Sequence, residues 1–468
     1  MSCFTHRVHL PISPRDLFAW HARPRAFERL TPPWDEVRVR KAMHVLEVGS
    51  VADFDVAVGP VRLRWVARHE DVFVGGENDP AGFVDVMQEG PFRSWRHQHS
   101  FAPDGAGGCI LTDTVNYQLP RIPFASWFSP ALVEKRLQRM FAFRARTLRG
   151  DISFAQKFSS SPKKIAVSGA SGLVGQEICT LLSVLGHDVK RLVRHRKNID
   201  DEIVWNPQTG DVDAVAADGL YAVVHLAGES IGEGRFTKDK AARIHHERAG
   251  QARALLGALA RLPHPPSVVV GACATGFYGD RGDDIVDEDS AAGVGVLPDI
   301  CRAWENALLS DYGAGWRSVS VRSGVVLSAR GGMLKKLLPA FRVGLCASLG
   351  NGRAFMPLIG ADDAADVYLH ALFDARITGA VNACLPQAVR NQEFTDMLAH
   401  ALHRKAWMRV PAPALRMAFG PLTDEVLLAS TRATSKKLLS LGHEWRHADV
   451  PSTLAHVLGA HVLGTEVL

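Results

Sequence analysis

Apolar and polar residues alternate along residues 37–48, 50–58, 61–73, 82–88, 93–101 and 109–118, with turn residues between the runs. A period of two sends successive side chains to opposite faces, so these runs predict strands of a sheet with one face turned inward. Over residues 130–150 the period lengthens to that of a helix, placing Leu132, Val133, Leu137, Met140, Phe141 and Leu148 on one stripe. Strands first and a long helix last is an α+β order, which predicts a first domain over residues 1–155.

Residues 156–164 (QKFSSSPKK) break this pattern with serines, a proline and lysines, and predict a linker. After it the rhythm changes. Short apolar strands at 165–168, 188–193, 222–226, 267–272 and 316–321 alternate with helical stretches at 176–185, 240–262 and 298–312. That alternation predicts an α/β domain over residues 163–410, a doubly wound parallel sheet with helices on both faces. Short helices with basic residues follow, giving a small C-terminal helical cap over residues 411–468. The fold class expected is therefore multidomain, α+β and then α/β with the cap.

Length and composition agree with several cores. A chain of 468 residues exceeds what one hydrophobic core serves, and 47% hydrophobic with 22% charged residues is ordinary globular composition. The net charge of +5 is small for this length and no block of like charge occurs, which argues against nucleic acid as a partner. Seven cysteines without a CxxC pair or a histidine at zinc spacing predict reduced, mostly buried thiols and no metal site. No apolar run reaches membrane-spanning length and residues 1–10 lack the features of a secretion signal, so a cytoplasmic protein is expected.

The first strand of the second domain runs directly into Gly169-Ala170-Ser171-Gly172-Leu173-Val174-Gly175, and a helix follows. In that context Gly169 permits a tight turn, Gly172 lets a pyrophosphate approach the backbone, and Gly175 lets the helix lie close to the strand. Amides at the helix start then face the phosphates. The second strand ends at Val193, where NAD enzymes place an acid on the ribose 2′-hydroxyl. Arg194 stands there instead, followed by His195, Arg196 and Lys197. Cations at that place favour the 2′-phosphate of NADP(H); a solvated basic turn is the other reading. His225-Leu226-Ala227-Gly228 fits a βα turn whose small residues admit the adenosine side. The helix after it carries Arg243 and Arg248, one of which could reach a coenzyme phosphate, although exposed helical arginines usually serve solvation alone.

These motifs, with Ala274-Thr275-Gly276-Phe277-Tyr278-Gly279-Asp280, Trp304-Glu305, Val321-Arg322-Ser323-Gly324-Val325-Val326-Leu327 and Leu338-Pro339-x-Phe341-Arg342-x-Gly344, resemble the epimerase-family, YfcH-like branch of the atypical short-chain dehydrogenase/reductases. The resemblance runs from about residue 163 to the C-terminus and implies NADP(H) contacts from Val193, Arg194, Leu226, Ala227, Arg243, Arg248 and Val326. The helix around Arg243 fits the family pattern only loosely. The N-terminal block is similar to START-related helix-grip domains of the polyketide-cyclase/aromatase type, which implies an apolar cavity for a hydrophobic ligand. Trp95, His97, His99 and Phe101 share one strand face there. They either line such a cavity or form an ordinary packed face with two hydrogen-bonded histidines.

The usual dehydrogenase pair is Tyr-x-x-x-Lys, in which the lysine lowers the tyrosine pKa. Aligned on Trp304-Glu305, its positions hold Leu297 and Cys301, and the usual serine position holds Ala274 with Cys273 and Thr275 beside it. Thr275 and Tyr278 are the substitute candidates for catalysis. Asp363 is expected to cap the helix that follows it. The expected function is an NADP(H)-binding epimerase or oxidoreductase acting on a small-molecule substrate. The alternatives are a coenzyme sensor without turnover, or a ligand carrier or cyclase centred on the N-terminal cavity.

Overall fold

The computed structural model describes residues 1–41, 45–58, 61–76, 79–119, 129–158, 161–197 and 200–459. Residues 42–44 of the first expected strand, Ser159 and Ser160 of the expected linker, and residues 460–468 of the expected cap lie outside the described residues. The chain divides into two compact units, Met1–Ser159 with Thr180–Gly186, and Ser160–Cys179 with His187–Leu468.

The first unit comprises β1 (Ser2–Leu10), α1 (Pro14–Ala22), α2 (Ala26–Arg29), β2 (Val37–Lys41), β3 (Val51–Val58), β4 (Val61–Phe73), β5 (Ala81–Glu89), β6 (Ser94–Pro103), β7 (Cys109–Gln118) and α3 (Pro130–Lys157). Its seven strands form one antiparallel sheet ordered β1-β7-β6-β5-β4-β3-β2. Alternate residues of β7 are buried along its whole length, as a half-buried strand requires. The α3 face Val133, Leu137 and Phe141 packs on Phe4, Trp95, Val115 and Tyr117.

Two expectations about α3 need correction. Leu132 is off the buried stripe and half exposed, because at about 100° per residue it stands more than a quarter of a turn from Val133, Leu137 and Phe141. The helix also does not stop at Gly150 but continues to Lys157. A glycine inside a helix costs about 1 kcal/mol; here the turn beyond it buries Ile152 and Phe154 and holds Asp151 in a two-pronged, fully buried ion pair with Arg29 of α2, at 2.9 and 2.7 Å. Between sheet and helix lies a cavity of about 270 Å³, lined on its apolar side by Phe54, Trp65, Trp95, Leu137 and Met140. Phe101 packs against Phe18 and Phe83 and is not part of that lining.

The second unit opens with β8 (Lys164–Ser168), α4 (Leu173–Val184), β9 (Asp188–Val193), β10 (Glu202–Val204), α5 (Ala214–Ala217), β11 (Ala222–His225), α6 (Lys238–Leu259) and β12 (Val268–Ala274). It continues through β13 (Ile285–Val286), α7 (Val296–Leu309), β14 (Arg317–Ser323), β15 (Val325–Leu327), α8 (Gly332–Arg342), β16 (Ala347–Leu349), β17 (Phe355–Met356), β18 (Leu358–Gly360), α9 (Ala361–Phe373) and β19 (Gly379–Ala383). The main sheet is ordered β10-β9-β8-β11-β12-β14-β19 and every pair in it is parallel. This is the doubly wound Rossmann arrangement. The order reverses direction at β8, so the crevice for a ligand opens at the carboxyl ends of β8 and β11. The strands read as continuous apolar runs because helices cover them. Ile165, Ala166 and Val167 of β8 and Ala222, Val223 and Val224 of β11 are all fully buried.

The C-terminal helices share a core with the rest of this unit. Leu454 and Val457 of the last described helix, Val450–Leu458, pack with Phe394, Leu398, Leu338 and Phe341.

Asp363 is not a helix cap. The N-cap of α9 is Gly360 and receives no side-chain bond. Asp363 lies fully buried, and its Oδ1 accepts the backbone N–H of Arg446 at 2.6 Å. Burial, together with the neighbouring Asp366, pushes its carboxyl well above the usual range.

Candidate active site

The turn after β8 is built by glycine. Gly169 has φ +66, and a Cβ there would sit 2.9 Å from the backbone N of Ala227. At Gly175 a Cβ would come within 2.3 Å of the carbonyl oxygen of Gly169. Only glycine lets α4 start this close to the strand. Gly172 differs: a Cβ there would meet only the Gly169 oxygen, at 3.2 Å. Ser168 closes the turn from below. Its hydroxyl accepts the N–H groups of Leu226 and Ala227 at 3.1 and 3.2 Å and pairs with His225 Nδ1 at 2.8 Å. The Gly169–Gly175 loop and Leu226-Ala227-Gly228 are thus locked side by side.

His225 is fully buried, and burial, helped by the charge of Arg248, holds its pKa down at about 4. An unfolded histidine titrates near ~6.5, so between about 6.5 and 4 the unfolded chain takes up a proton that the folded chain refuses. Stability from this group is present above that window and falls by up to about 1.4 kcal/mol per pH unit as the pH drops through it. Urea midpoints of wild type and His225→Asn at pH 7 and pH 5 should show a smaller pH loss in the variant; equal losses would remove His225 from the account.

Val193 ends β9, and Arg194 follows it exposed, with no side-chain partner among the described residues. The next arginine differs. Arg196 is held by Asp213 at 2.6 Å. Arg243 is largely exposed and reaches Glu229 at 3.1 Å. Arg248 is half-buried: its guanidinium stacks 4.1 Å over Trp304 and donates to the Glu229 carbonyl at 3.1 Å. Its Nε is buried beside Gly228 with no partner among the described residues. Val326 lies on β15, which pairs with β18. Gly332 lies near both the Val326 carbonyl and the Leu173 side chain, so this segment meets the start of α4. Arg330 reinforces the junction through Glu177 at 3.0 Å.

Thr275 stands at the carboxyl end of β12, buried, its hydroxyl donating to the Ser323 carbonyl at 3.4 Å. Tyr278 is fully buried. Its hydroxyl donates to Asn382 Oδ1 at 2.7 Å and accepts from Arg322 at 2.9 Å. Burial pushes its pKa far above the usual phenol range. Arg322 in turn makes a two-pronged pair with Glu305, at 2.9 and 2.6 Å, and lies 3.6 Å over the Phe277 ring. The positions of the usual tyrosine and lysine are filled by packing: Leu297 is buried against Gly276, and the Cys301 carbonyl lies 3.6 Å from Cys273 Sγ. A hydrogen bond to Cys301, reinforced by burial, pushes the Cys273 thiol well above its usual value.

Sequence reasoning missed Ser168, which clamps the turn, and Tyr368 on α9, whose hydroxyl meets Ser323. Ser168 ends the apolar strand just before the first glycine, and that placement is its signal. Tyr368 leaves none in the sequence.

Comparison with known proteins agrees with this architecture. The NAD dependent epimerase/dehydratase family matches residues 165–384, the polyketide cyclase/dehydrase and lipid transport family residues 10–143, and a domain of unknown function (DUF1731) residues 410–457. An epimerase family protein of Mycobacterium bovis is 35% identical over 292 residues, 62% of this chain and 96% of its own. Among solved structures, one described as a nucleoside-diphosphate sugar epimerase from Corynebacterium glutamicum aligns with 97% of this chain and 90% of its own, at 31% identity and TM-score 0.79. A human epimerase family protein solved with NADPH covers 63% of this chain and 98% of its own, at 28% identity and TM-score 0.57. With a relative this similar matched over nearly its whole length, and the family model matched across the parallel sheet, the chain belongs to the epimerase family.

Proposed function

We propose that this chain is an NADP(H)-dependent epimerase or oxidoreductase, with a ligand-binding domain at 1–155, a coenzyme domain at 163–410 and a helical cap at 411–468. The observation that carries the reading is the glycine turn itself, joined by a buried arginine nitrogen left unpartnered among the described residues beside Gly228. The residues present fit a dinucleotide. Gly169, Ser171, Gly172, Leu173, Val174 and Gly175 would hold the pyrophosphate at the start of α4. Val193 and Arg194 would take the adenosine ribose with its 2′-phosphate, Leu226, Ala227 and Gly228 would line the neighbouring side, and Val326 would close over the loop. Arg248 is the better placed of the two helix arginines, since Arg243 points to Glu229 at the surface. The human relative was solved with NADPH, which supports the choice of coenzyme.

When bound, the nicotinamide supplies a hydride donor or acceptor at C4. The chain's own part is orientation of the two reactants. Thr275 offers its hydroxyl at the carboxyl end of β12 to orient a substrate oxygen. Tyr278, expected as its alternative, acts as a positioning residue that fixes the Thr275–Tyr278 turn through Asn382 and Arg322.

Calorimetric titration tests the coenzyme. NADPH should bind more tightly than NADH, and Arg194→Ala should weaken NADPH about tenfold while leaving NADH nearly unchanged, the share of an exposed charge-assisted contact. Preference for NADH would overturn the reading. The apolar filling at Leu297 and Cys301 favours a second reading, coenzyme binding without turnover. NADPH oxidation against a panel of carbonyl compounds separates the two. The apolar cavity of the first unit supports a hydrophobic ligand there, and native mass spectrometry of the full chain would detect it.

A further inference from the structure

One wall of the N-terminal cavity is not apolar. Asp85 of β5 and His97 of β6 are direct cross-strand neighbours, and His99 stands two residues on, pointing to the same face. All three line the cavity. Opposite His99, on β7, is Asp113.

The nitrogen atoms divide into two sets. Asp113 Oδ1 hydrogen-bonds His97 Nε2 at 3.1 Å and lies 2.7 Å from His99 Nδ1, a close charged contact without hydrogen-bond alignment, so one carboxylate faces one nitrogen of each ring. The other two nitrogens, His97 Nδ1 and His99 Nε2, converge on Asp85 Oδ2 at 3.4 and 3.7 Å. Those separations exceed a good hydrogen bond, which for N–H···O ends near ~3.2 Å. The shorter equals the edge of a tetrahedron around a small cation, since ligand bonds of about 2.0–2.1 Å give edges of roughly 3.3–3.4 Å, and the longer needs the His99 ring to move by only a few tenths of an ångström. One nitrogen or oxygen from each of the three residues lies within 4.8 Å of the others. Ligating histidines characteristically pass their second nitrogen to a carboxylate, which fixes ring orientation and tautomer; Asp113 does that for His97 and lies against the second nitrogen of His99.

We propose that Asp85, His97 and His99 bind a divalent first-row transition cation such as Zn²⁺, with Asp113 orienting the two imidazoles. Three protein ligands leave a coordination position open, and all three ligands border the cavity, so that position faces an apolar space of about 270 Å³. The site would take an oxygen donor, a carbonyl or hydroxyl, of a small organic ligand whose apolar body lies against Phe54, Trp65 and Trp95. Zinc and non-haem iron both use histidine and carboxylate ligands with open positions. This inference is independent of the coenzyme reading and survives or fails without it.

The test uses the full-length, untagged chain, stripped with a chelator and titrated with Zn²⁺ and then with Co²⁺. One equivalent of Zn²⁺ should bind saturably. The Co²⁺ form should show the visible bands of nitrogen and oxygen ligands without a thiolate charge-transfer band, which excludes the cysteines. Asp85→Asn and His99→Gln should each weaken Zn²⁺ by more than about 100-fold, and Asp113→Asn by roughly 10–100-fold, as loss of a supporting partner does. Circular dichroism confirms that each variant is folded, and the wild-type stoichiometry and Co²⁺ spectrum decide the question even if one is not. Absence of saturable uptake by the wild type, a thiolate band, or undiminished binding in folded Asp85→Asn would overturn the proposal and leave the cluster as a buried ion-pair network.

Discussion

Replacing Arg322 with methionine is expected to destabilise the second unit by about 3–5 kcal/mol, the range for breaking a buried ion pair from one side. The size follows from what is left behind. Arg322 and Glu305 have side chains only 5% and 8% exposed, and the two-pronged contact at 2.9 and 2.6 Å satisfies both. Without the guanidinium, Glu305 keeps the Ser320 hydroxyl at 2.9 Å, and Tyr278 loses a donor to its oxygen. The charge of Glu305 is then held in a low-dielectric interior with little to offset it. Arg322→Met/Glu305→Leu should recover a large part of the loss, since replacing a buried pair by apolar groups of similar volume is often close to neutral. Urea unfolding followed by tryptophan fluorescence reads both, Trp304 and Trp316 lying in this unit. A single variant within about 1 kcal/mol of wild type would show that the network is not what holds the β12, β14 and α7 junction together.

Legibility in the sequence follows how local the determining interaction is. The glycine turn needs only adjacent residues, and Gly169, Gly172 and Gly175 stand where the sequence predicts strand, loop and helix. The fold class is equally legible, since a period of two followed by alternating strands and helices fixes the layers. Trp304-Glu305 and Val321-Arg322-Ser323 are visible as motifs, but not that Glu305 and Arg322 grip each other, because that contact depends on α7 lying over β14. The cap expected from Asp363 fails for a similar reason. The residue does stand near a helix start, while the Arg446 amide that captures its carboxylate comes from 83 residues further along. The His-x-His pair on β6 can be seen as one strand face. Its convergence on Asp85 cannot, because it depends on the pairing of β5 with β6, and β5 also carries irregular register against β4.

These long-range contacts also explain how the site is arranged. Around Leu297 and Cys301, where the sequence motif leads one to expect the acid–base pair, the motif residues mostly hold the frame: Glu305, Arg322, Tyr278 and Asn382 form one buried chain of hydrogen bonds. In the proposed reading the groups that remain to meet coenzyme and substrate are Thr275, the glycine turn and Arg248. A test of the proposed function should therefore probe approach to the backbone before it probes proton transfer.

Gly172→Ala is that test. At Gly175 a methyl group would strike the Gly169 carbonyl at 2.3 Å, so any loss of coenzyme binding there would be confounded by damage to the turn. At Gly172 the backbone has no positive φ, and the nearest atom to an added Cβ is 3.2 Å away. The Gly169 oxygen must give by a few tenths of an ångström, and the free protein should keep its stability within about 1 kcal/mol because a less flexible unfolded chain offsets part of that cost. A pyrophosphate resting on the start of α4 would meet the methyl directly. Overpacking of about 1–3 kcal/mol translates into a roughly 10- to 100-fold weaker NADPH complex, with NADH weakened by the same factor because both coenzymes share the pyrophosphate. Parallel losses for the two coenzymes at unchanged melting temperature, set beside the selective loss expected for Arg194→Ala, would locate the pyrophosphate and the 2′-phosphate separately. Unchanged affinity for both would mean that no phosphate rests against Gly172, and the dinucleotide reading of this turn would fall with it.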